Sequence, residues 1–507
     1  MNTTSPTSLE SNSAPKAFKR INAPVYALPL DIFRAAVGLL SFAYFARSFT
    51  ETADFSAPDG LIDHELSERF FWFTRINLFG PGMTRFDFEL IFAFACLCAL
   101  GLTFGYRPKV CAAILYVIAV CSYRWNFVVI YVDDAIMHLM LFWMLLLPIG
   151  RTLTVRGRQR TWHDLQSRWK AELVPGGTMR CFAANFALIY IVAGFWKWTS
   201  PMWRNGTAVY AIMHMPIAYA PDFWRPEYLP LLQILNYAAI ICEPLFPLMA
   251  VLSIGHKAKY LLLALFITFH GFILLTLKLP FANLACLAAG VLLFRDELMK
   301  YVLHASPAPK PIQRPAWSAS AVSAAVFVGF LSLAMLTSVT LPDWRRPFGQ
   351  QEGVENSDGL GPVQRLIFAS LWSIGIAQQY QLMNWVDQRG YRYEYQIFQT
   401  ADDGSRRLIE PGRVFPGSIH NVLLQSYLHG QVWTNIPPDH RVEFRRSVST
   451  RYAARFCRLM QPAGTISVNS TIERLVPGAD KTESLQMKFS CEADTPRIHS
   501  IHFGFAE

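Results

Sequence analysis

Long uninterrupted apolar blocks dominate the first two thirds of the chain. Several of them reach the roughly 20 residues that a helix needs to cross the hydrocarbon core of a bilayer. Only 16% of the residues are charged, whereas soluble domains carry about 25%. The pattern argues against an ordinary soluble enzyme and predicts an all-α polytopic membrane bundle with a smaller C-terminal α+β extramembrane domain.

Nine spans are predicted within a membrane domain of residues 24–341. The first block contains Asp31 and Arg34 and lacks a small-residue cleavage site, so it reads as a span and not as a cleaved signal peptide. Residues 1–23 are polar and basic and are predicted to be a disordered tail. The spans fall at about 24–49, 88–106, 109–125, 132–149, 181–199, 229–253, 259–277, 280–295 and 318–341.

The net charge of +10 is interpreted as an indication of membrane topology and not of nucleic-acid binding. The segment 151–180 has the strongest excess of Arg and Lys in the chain, which places it in the cytoplasm by the positive-inside rule. Nine spans then leave the N-terminus inside and the C-terminal domain outside. If the short eighth block were re-entrant, the C-terminal domain would be cytoplasmic.

From residue 342 to 507 the composition turns polar. Alternation at 391–397 and 465–468 predicts strands, and 362–380 and 445–460 read better as helices. This region is predicted to be an extracytoplasmic α+β domain.

The nine cysteines show no metal-ligand spacing, so no metal site is predicted. Seven of them lie in or beside spans, where a packing role is favoured. Cys457 and Cys491 both lie in the domain placed outside, where a disulfide could persist. The sequence alone is equally compatible with a Cys457–Cys491 disulfide and with two free thiols.

Ionisable residues within the spans are functional candidates because an unpaired charge there is costly. Asp31 and Arg34 can pair on one helix face. Asp134 and His138 share a face of the fourth span and could form a proton relay or half of a metal site. The alternative is that Asp133 and Asp134 cap the helix and the histidine is packed.

The fifth span places Tyr190, Gly194 and Lys197 on one face, with the glycine expected to leave room beside the amine. Desolvation can convert a lysine into a base or nucleophile. The alternative is a lysine that extends to the interface.

Two further candidates lie in spans six and seven. Glu243 is followed by Pro244 and Pro247, which break the helix and favour a cavity wall. A pairing with a base on a neighbouring span is the alternative. His270 lies at mid-bilayer depth, where a hydrogen bond to a carbonyl is the structural alternative.

The run Leu188-Ile-Tyr-Ile-Val-Ala-Gly-Phe-Trp-Lys197, followed by Trp203-Arg-Asn-Gly206, resembles the HTTM membrane domain of vitamin K-dependent gamma-carboxylases and their bacterial relatives. Segments 380–383, 391–397 and 411–415 resemble the start of the carboxylase lumenal domain. The resemblance covers roughly residues 25–460. It implies nine spans with a cytoplasmic N-terminus.

The resemblance also implies a chemistry and a set of residues. A lipid quinol of the vitamin K type would be the reductant, O2 would convert it into a strong base, and CO2 would add to a carbanion. Lys197 would be the base, Asp133, Asp134 and His138 would orient the quinol or substrate, and Glu243 would hold the lysine or line the cavity. The implied cavity opens outward between spans four and seven, with Tyr190 and His270 in the pocket and Trp203 at the mouth.

The chain departs from the family at Trp125-Asn126, which is followed by Phe127 where carboxylases carry an Asn-His pair. Only Asp133, Asp134 or His138 nearby could stand in for that histidine. The region after the last span is also short.

The leading hypothesis is a membrane enzyme of the gamma-carboxylase type acting on a peptide or small molecule. The runner-up is a non-enzymatic HTTM protein for maturation, export or immunity of a secreted peptide. A proton-coupled transporter ranks lower because no repeats are recognisable.

Overall fold

The computed structural model describes residues 23–70, 77–155, 162–305, 318–338, 390–431, 436–475 and 480–504, with positions 366, 370, 371, 373–376 and 386. The predicted tail up to residue 22, the domain boundary at 342 and most of the helix predicted over 362–380 lie outside these residues. The described N-terminal region is mostly helical, and the C-terminal region is built on an antiparallel sheet.

A helix coincides with every predicted apolar block. In chain order the helices are α1 (Ala27–Thr50), α2 (Arg85–Phe104), α3 (Pro108–Trp125), α4 (Val132–Leu146), α5 (Gly177–Thr199), α6 (Leu229–Cys242), α7 (Lys257–Thr276), α8 (Pro280–Leu293) and α9 (Ala319–Ser338). A 3-10 segment, Glu243–Ala250, continues α6, and shorter helices include Thr52–Phe55, His64–Phe70, Trp162–Ala171, Pro201–Arg204 and Ala208–His214.

Within the described residues, five helical stretches are long and apolar enough to cross a membrane: α1, α2, α5, Pro226–Ala250 and α7. Several of their outward side chains are large and apolar, such as Leu90 and Leu97 on α2 and Leu261 and Leu275 on α7. An apolar outer face is what lipid contact requires. These features suggest a multi-pass membrane protein, and the count of nine spans stays a prediction.

The predicted pairing of Asp31 with Arg34 on α1 is present, with Nε and Oδ1 3.3 Å apart. Asp31 also accepts hydrogen bonds from the backbone N–H groups of 150–153. Arg34 donates to carbonyls of Leu102, Thr103 and Leu153. Both charged side chains therefore have buried hydrogen-bond partners. They connect α1 with the end of α2 and with the segment that follows α4.

The described strands are β1 (Val25–Tyr26), β2 (Leu173–Val174), β3 (Tyr391–Thr400), β4 (Arg406–Ile409), β5 (Thr465–Arg474), β6 (Lys481–Glu492) and β7 (Thr495–Phe503). A small ribbon of β1 and β2 lies at the start of α1. The C-terminal sheet has the strand order β4-β3-β5-β6-β7, all antiparallel. The strands predicted at 391–397 and 465–468 are present and longer than expected.

Two helices cover one face of this sheet, α10 (Ile419–Leu428) and α11 (Arg441–Met460). The second matches the helix predicted over 445–460. Its buried side chains Phe444, Val448 and Phe456 belong to the same core as the inward residues of the strands. In the structure Cys457 on α11 and Cys491 on β6 form a disulfide.

The C-terminal domain is docked on the segment that follows α1. Phe55 and Leu61 of that segment share a hydrophobic core with α11 and the sheet. Arg455 on α11 forms a two-point ion pair with Asp54, at 2.6 and 3.1 Å. This docking brings α10 to the end of the helical bundle.

Candidate functional site

Two buried polar clusters lie on either side of the start of α8. The amine cluster consists of Lys197, Glu243, Tyr190, His270 and Asn283. The carboxylate cluster consists of Arg47, Glu51, Asp133, Asp134 and His420. Consecutive residues of α8 join them, because the N–H of Ala282 donates to Asp133 Oδ1 at 2.6 Å and the side chain of Asn283 contacts His270.

The centre of the amine cluster is an ion pair between α5 and the 3-10 segment. Lys197 Nζ lies 2.5 Å from Glu243 Oε2, and Lys197 and Glu243 are only 2% and 3% exposed. The contact fits the prediction that Glu243 would hold the lysine. A buried pair of this kind is strongly interdependent, because removal of one partner leaves the other charge desolvated.

Gly194 allows this pair to form, although not as predicted. A Cβ built at Gly194 would lie 2.4 Å from Cγ of Pro244. The expectation of free room beside the amine is therefore wrong, because the proline ring fills that space. The glycine serves instead to bring the backbone of the 3-10 segment against α5, which places Glu243 next to Lys197.

Trp203 follows α5 on the short helix Pro201–Arg204 and lies over the amine. Lys197 Nζ is 5.2 Å from the centre of its ring, a distance typical of a cation–π contact. Trp203 is only 3% exposed, and its expected place at the mouth of a cavity stays a prediction. The tryptophan is a buried cover of the ion pair.

His270 lies between two polar side chains of the amine cluster. Its Nε2 is 2.7 Å from the hydroxyl of Tyr190, and its Nδ1 is 2.8 Å from Oδ1 of Asn283. The amide nitrogen of Asn283 donates to the carbonyl of Leu279 at 2.7 Å. Because Asn283 Oδ1 can only accept, His270 Nδ1 carries the proton and Nε2 accepts from Tyr190. His270 thus makes the predicted hydrogen bond to a carbonyl, and this carbonyl belongs to the side chain of Asn283.

Arg47 organises the carboxylate cluster from the last turn of α1. Its guanidinium lies 3.0 Å from Asp134 and 3.6 Å from Asp133, and it stacks over Phe281 at 4.7 Å. Asp133 accepts its hydrogen bond from a different helix, and the N-cap of α4 is Tyr131 without a side-chain cap. The aspartates therefore act in tertiary contacts, and the helix-capping alternative is wrong.

His138 is buried one turn below Asp134. Its Nε2 is 3.1 Å from the hydroxyl of Tyr44, and its ring packs edge-on against Tyr123. The nearest polar partners of Asp134 are Arg47 and His420. Asp134 and His138 thus lie near each other, and the hydroxyl of Tyr44 on α1 interacts with both.

His420 was not predicted and enters from the C-terminal domain. Its Nδ1 is 2.7 Å from Glu51 Oε2, and its Nε2 is 3.5 Å from Asp134 Oδ1. Burial lowers the pKa of His420, but Asp134 and Glu51 outweigh this effect and raise that pKa above its ordinary value. No pattern in the sequence pointed to His420, whereas Arg47 could have been suspected as a lone cation at the end of an apolar block.

A small cavity of about 20 Å³ lies beside His420. It has room for about one water molecule. Its wall includes Trp125 and Asn126, the two residues that are followed by Phe127 where the resemblance led us to expect a histidine. An imidazole is therefore present near Asn126, but it comes from α10. The other lining residues include Tyr44, Ser48, Glu51, Phe55 and Ser122.

No family model, curated protein or solved structure matches this chain. Among the described residues, no group of three or more His, Cys, Asp and Glu side chains is arranged to hold a metal ion. The arrangement of the two clusters is suited to holding and moving protons, because each contains carboxylates hydrogen-bonded to a nitrogen base or a cation.

Proposed function

We propose that this chain is an integral membrane enzyme of the gamma-carboxylase type, with Lys197 as its general base. The observation that carries the proposal is the buried contact between Lys197 and Glu243. A lysine can act as a base only when it has lost its proton, and a carboxylate at hydrogen-bonding distance in a site of low dielectric constant can accept that proton. Glu243 would in this way hold the amine and receive the proton that the lysine releases.

The side chains around the pair fit a quinol. A quinol offers an aromatic ring and hydroxyl groups, which match aromatic walls and an amine or carboxylate partner. Tyr190, Phe246 and Phe266 form such a wall, with neighbouring ring centres 5.4 to 6.1 Å apart. When bound, a lipid quinol of the vitamin K type would supply reducing equivalents and, with O2, the basicity needed for CO2 addition to a substrate carbanion.

Access to Lys197 requires a local opening. The amine is enclosed by Glu243, Trp203 and the ring of Pro244 packed on Gly194. Movement of Trp203 away from the amine would expose Lys197 without breaking the helices. In this proposal Trp203 admits the quinol and excludes water when it is closed.

The remaining predicted residues would orient the reactants. His270 accepts the hydrogen bond of the Tyr190 hydroxyl at 2.7 Å, which fixes the orientation of that hydroxyl. Asp133 and Asp134 are fixed by Arg47 on the other side of α8. With His138 they would position the quinol or the substrate, as the resemblance implies.

The topology in this proposal has nine spans, a cytoplasmic N-terminus and an extracytoplasmic C-terminal domain. A secreted peptide or a small molecule would then reach the site from outside. The charge distribution of the loops supports this orientation.

The test is incorporation of labelled CO2 by membranes that contain the full chain, a vitamin K-type quinol, O2 and a library of secreted peptides and small acids. Wild type should incorporate label in a quinol-dependent way, and Lys197→Ala should lower the rate by roughly 10²–10⁴-fold. Equal incorporation by both proteins would exclude Lys197 as the base. If wild type incorporates no label, the non-enzymatic role in peptide maturation, export or immunity is favoured.

A further inference from the structure

Three ionisable side chains from three separate parts of the chain form a line at the end of the helical bundle. Glu51 directly follows α1 as its C-cap. His420 lies on α10 of the C-terminal domain, and Asp134 lies in the first turn of α4. The imidazole lies between the two carboxylates, with one ring nitrogen directed to each of them. No single sequence segment contains this arrangement.

The line runs from partial exposure to full burial. The side chain of Glu51 is 18% exposed, that of His420 is 4% exposed and that of Asp134 is 1% exposed. The outer carboxylate can therefore exchange protons with water, whereas the inner one can do so only through its neighbours.

The line continues into the bundle. The hydroxyl of Tyr44 interacts with Asp134 and lies 3.1 Å from Nε2 of His138. His138 is fully buried. Each group thus interacts with the next one, from Glu51 inward to His138.

The longest step is between His420 and Asp134. Its 3.5 Å is at the limit of a direct hydrogen bond. The cavity of about 20 Å³ borders His420, Tyr44 and Glu51, so a water molecule placed there would connect the imidazole with the groups before and after Asp134 in the line. A small rotation of the imidazole would close the gap.

The chemistry of the line suits protons better than other ions. An imidazole accepts a proton on one nitrogen and releases one from the other. Arg47, which lies 3.0 Å from Asp134, stays charged at any working pH and cannot take part in transfer. Its fixed positive charge instead stabilises the buried carboxylates of Asp133 and Asp134.

We propose that Glu51, His420 and Asp134 form a proton route from the aqueous face of the protein to Tyr44 and His138 inside the bundle. One proton enters at Glu51 and binds Nδ1 of His420, and the proton already on Nε2 leaves to Asp134. The raised pKa of His420 supports this role, because the two carboxylates favour the protonated imidazole. The charged groups that face this imidazole are Glu51 and Arg47 from α1 and Asp133 and Asp134 from α4. The route goes beyond the Lys197 chemistry and does not require it.

The experiment is a proton pulse on the full chain in lipid nanodiscs. The aspartates are labelled with carbon-13 in the carboxyl group, protons are released from a caged acid by a laser flash, and time-resolved infrared spectroscopy follows protonation of the buried aspartates. The variants are His420→Gln and Glu51→Gln, which keep size and polarity but cannot carry a proton. The matched controls are His440→Gln and Glu443→Gln, because His440 and Glu443 form a similar pair at 3.0 Å on the exposed side of the same domain.

Both route variants should slow the aspartate signal by roughly 10²-fold, the usual effect of removing a positioned acid–base group, while both controls keep the wild-type rate. An unchanged rate in His420→Gln and Glu51→Gln would overturn the proposal. If those variants do not fold, wild type labelled with nitrogen-15 in histidine gives a second test. The histidine signal should precede or accompany the aspartate signal, and an aspartate signal that comes first would overturn the route.

Discussion

Lys197 on α5 and Glu243 at the start of the 3-10 segment form an ion pair that is almost completely removed from solvent. A second pair, Lys259 and Glu297, is similarly buried, with Nζ and Oε1 2.7 Å apart. The two pairs have the same chemistry, but the amine of the first lies against Trp203 and that of the second against Phe294. The second pair is therefore a matched control for a role in activity.

The first prediction separates activity from stability at these pairs. Lys197→Ala leaves Glu243 buried without its cation, which costs about 3–5 kcal/mol when a buried partner is removed. Lys197→Ala combined with Glu243→Ala should recover much of the stability and none of the activity.

The measurement is thermal unfolding in nanodiscs together with quinol-dependent CO2 incorporation. Lys259→Ala combined with Glu297→Ala should keep activity. Lys197→Arg should stay inactive, since a guanidinium does not release its proton. A fully active Lys197→Arg would show that the amine has only a structural role.

Gly194→Ala should separate α5 from the 3-10 segment. The new Cβ would lie 2.4 Å from the rigid ring of Pro244, so the backbone must move. Overpacking of this kind costs about 1–3 kcal/mol, and activity should fall because Glu243 moves away from Lys197. The control is Gly271→Ala on α7, where no atom lies within 4 Å of the new Cβ. Equal unfolding temperatures and activities for the two variants would contradict the proposed role of Gly194.

Because of its buried His429, the C-terminal domain should lose stability in acid. Its imidazole is buried between Tyr395 and Ser484, at 2.8 and 2.7 Å. Burial, assisted by the charge of Arg445, lowers the pKa of His429 from 6.5 to about 3. The unfolded chain thus binds this proton more readily than the folded chain. The stability contribution is complete above pH 6.5 and is lost as the pH falls from 6.5 towards 3, by up to about 1.4 kcal/mol per pH unit.

The check is the unfolding free energy as a function of pH, followed by the infrared signal of the sheet. His429→Gln should remove this slope, and His499→Gln, at an exposed site on β7, should retain it. The same slope in both variants would assign the acid sensitivity to other groups.

The orientation can be tested with single cysteines at two exposed positions, Ser167 and Ser405. An impermeant thiol reagent added to intact cells should label Ser405→Cys and spare Ser167→Cys, because the basic segment 151–180 is predicted to be cytoplasmic. Labelling of both positions, or protection of Ser405→Cys, would contradict the nine-span topology.

The sequence predicted the positions of the helices and some of the residues of the site. Lys197, Glu243 and His270 stood out because an ionisable side chain within an apolar block is rare. Their partners depend on which helices are neighbours, and this is set by contacts such as Gly194 against Pro244 that have no local signature. His420 lies in an extramembrane helix, where a histidine between polar and apolar neighbours is unremarkable. Its role became visible only when the docked domain placed it beside Asp134.

The most direct test of the central claim is a search for a bound lipid quinone. Full-length protein is purified in a gentle detergent, extracted with organic solvent and analysed by mass spectrometry, with the Lys259→Ala/Glu297→Ala protein as the control for handling. A membrane enzyme that uses a quinol at Lys197 should retain a quinone in wild type and in the control, and should lose it when Trp203 and Tyr190 are both replaced by alanine. Absence of a quinone from wild type, or equal retention in all three proteins, would contradict a quinol site at Lys197.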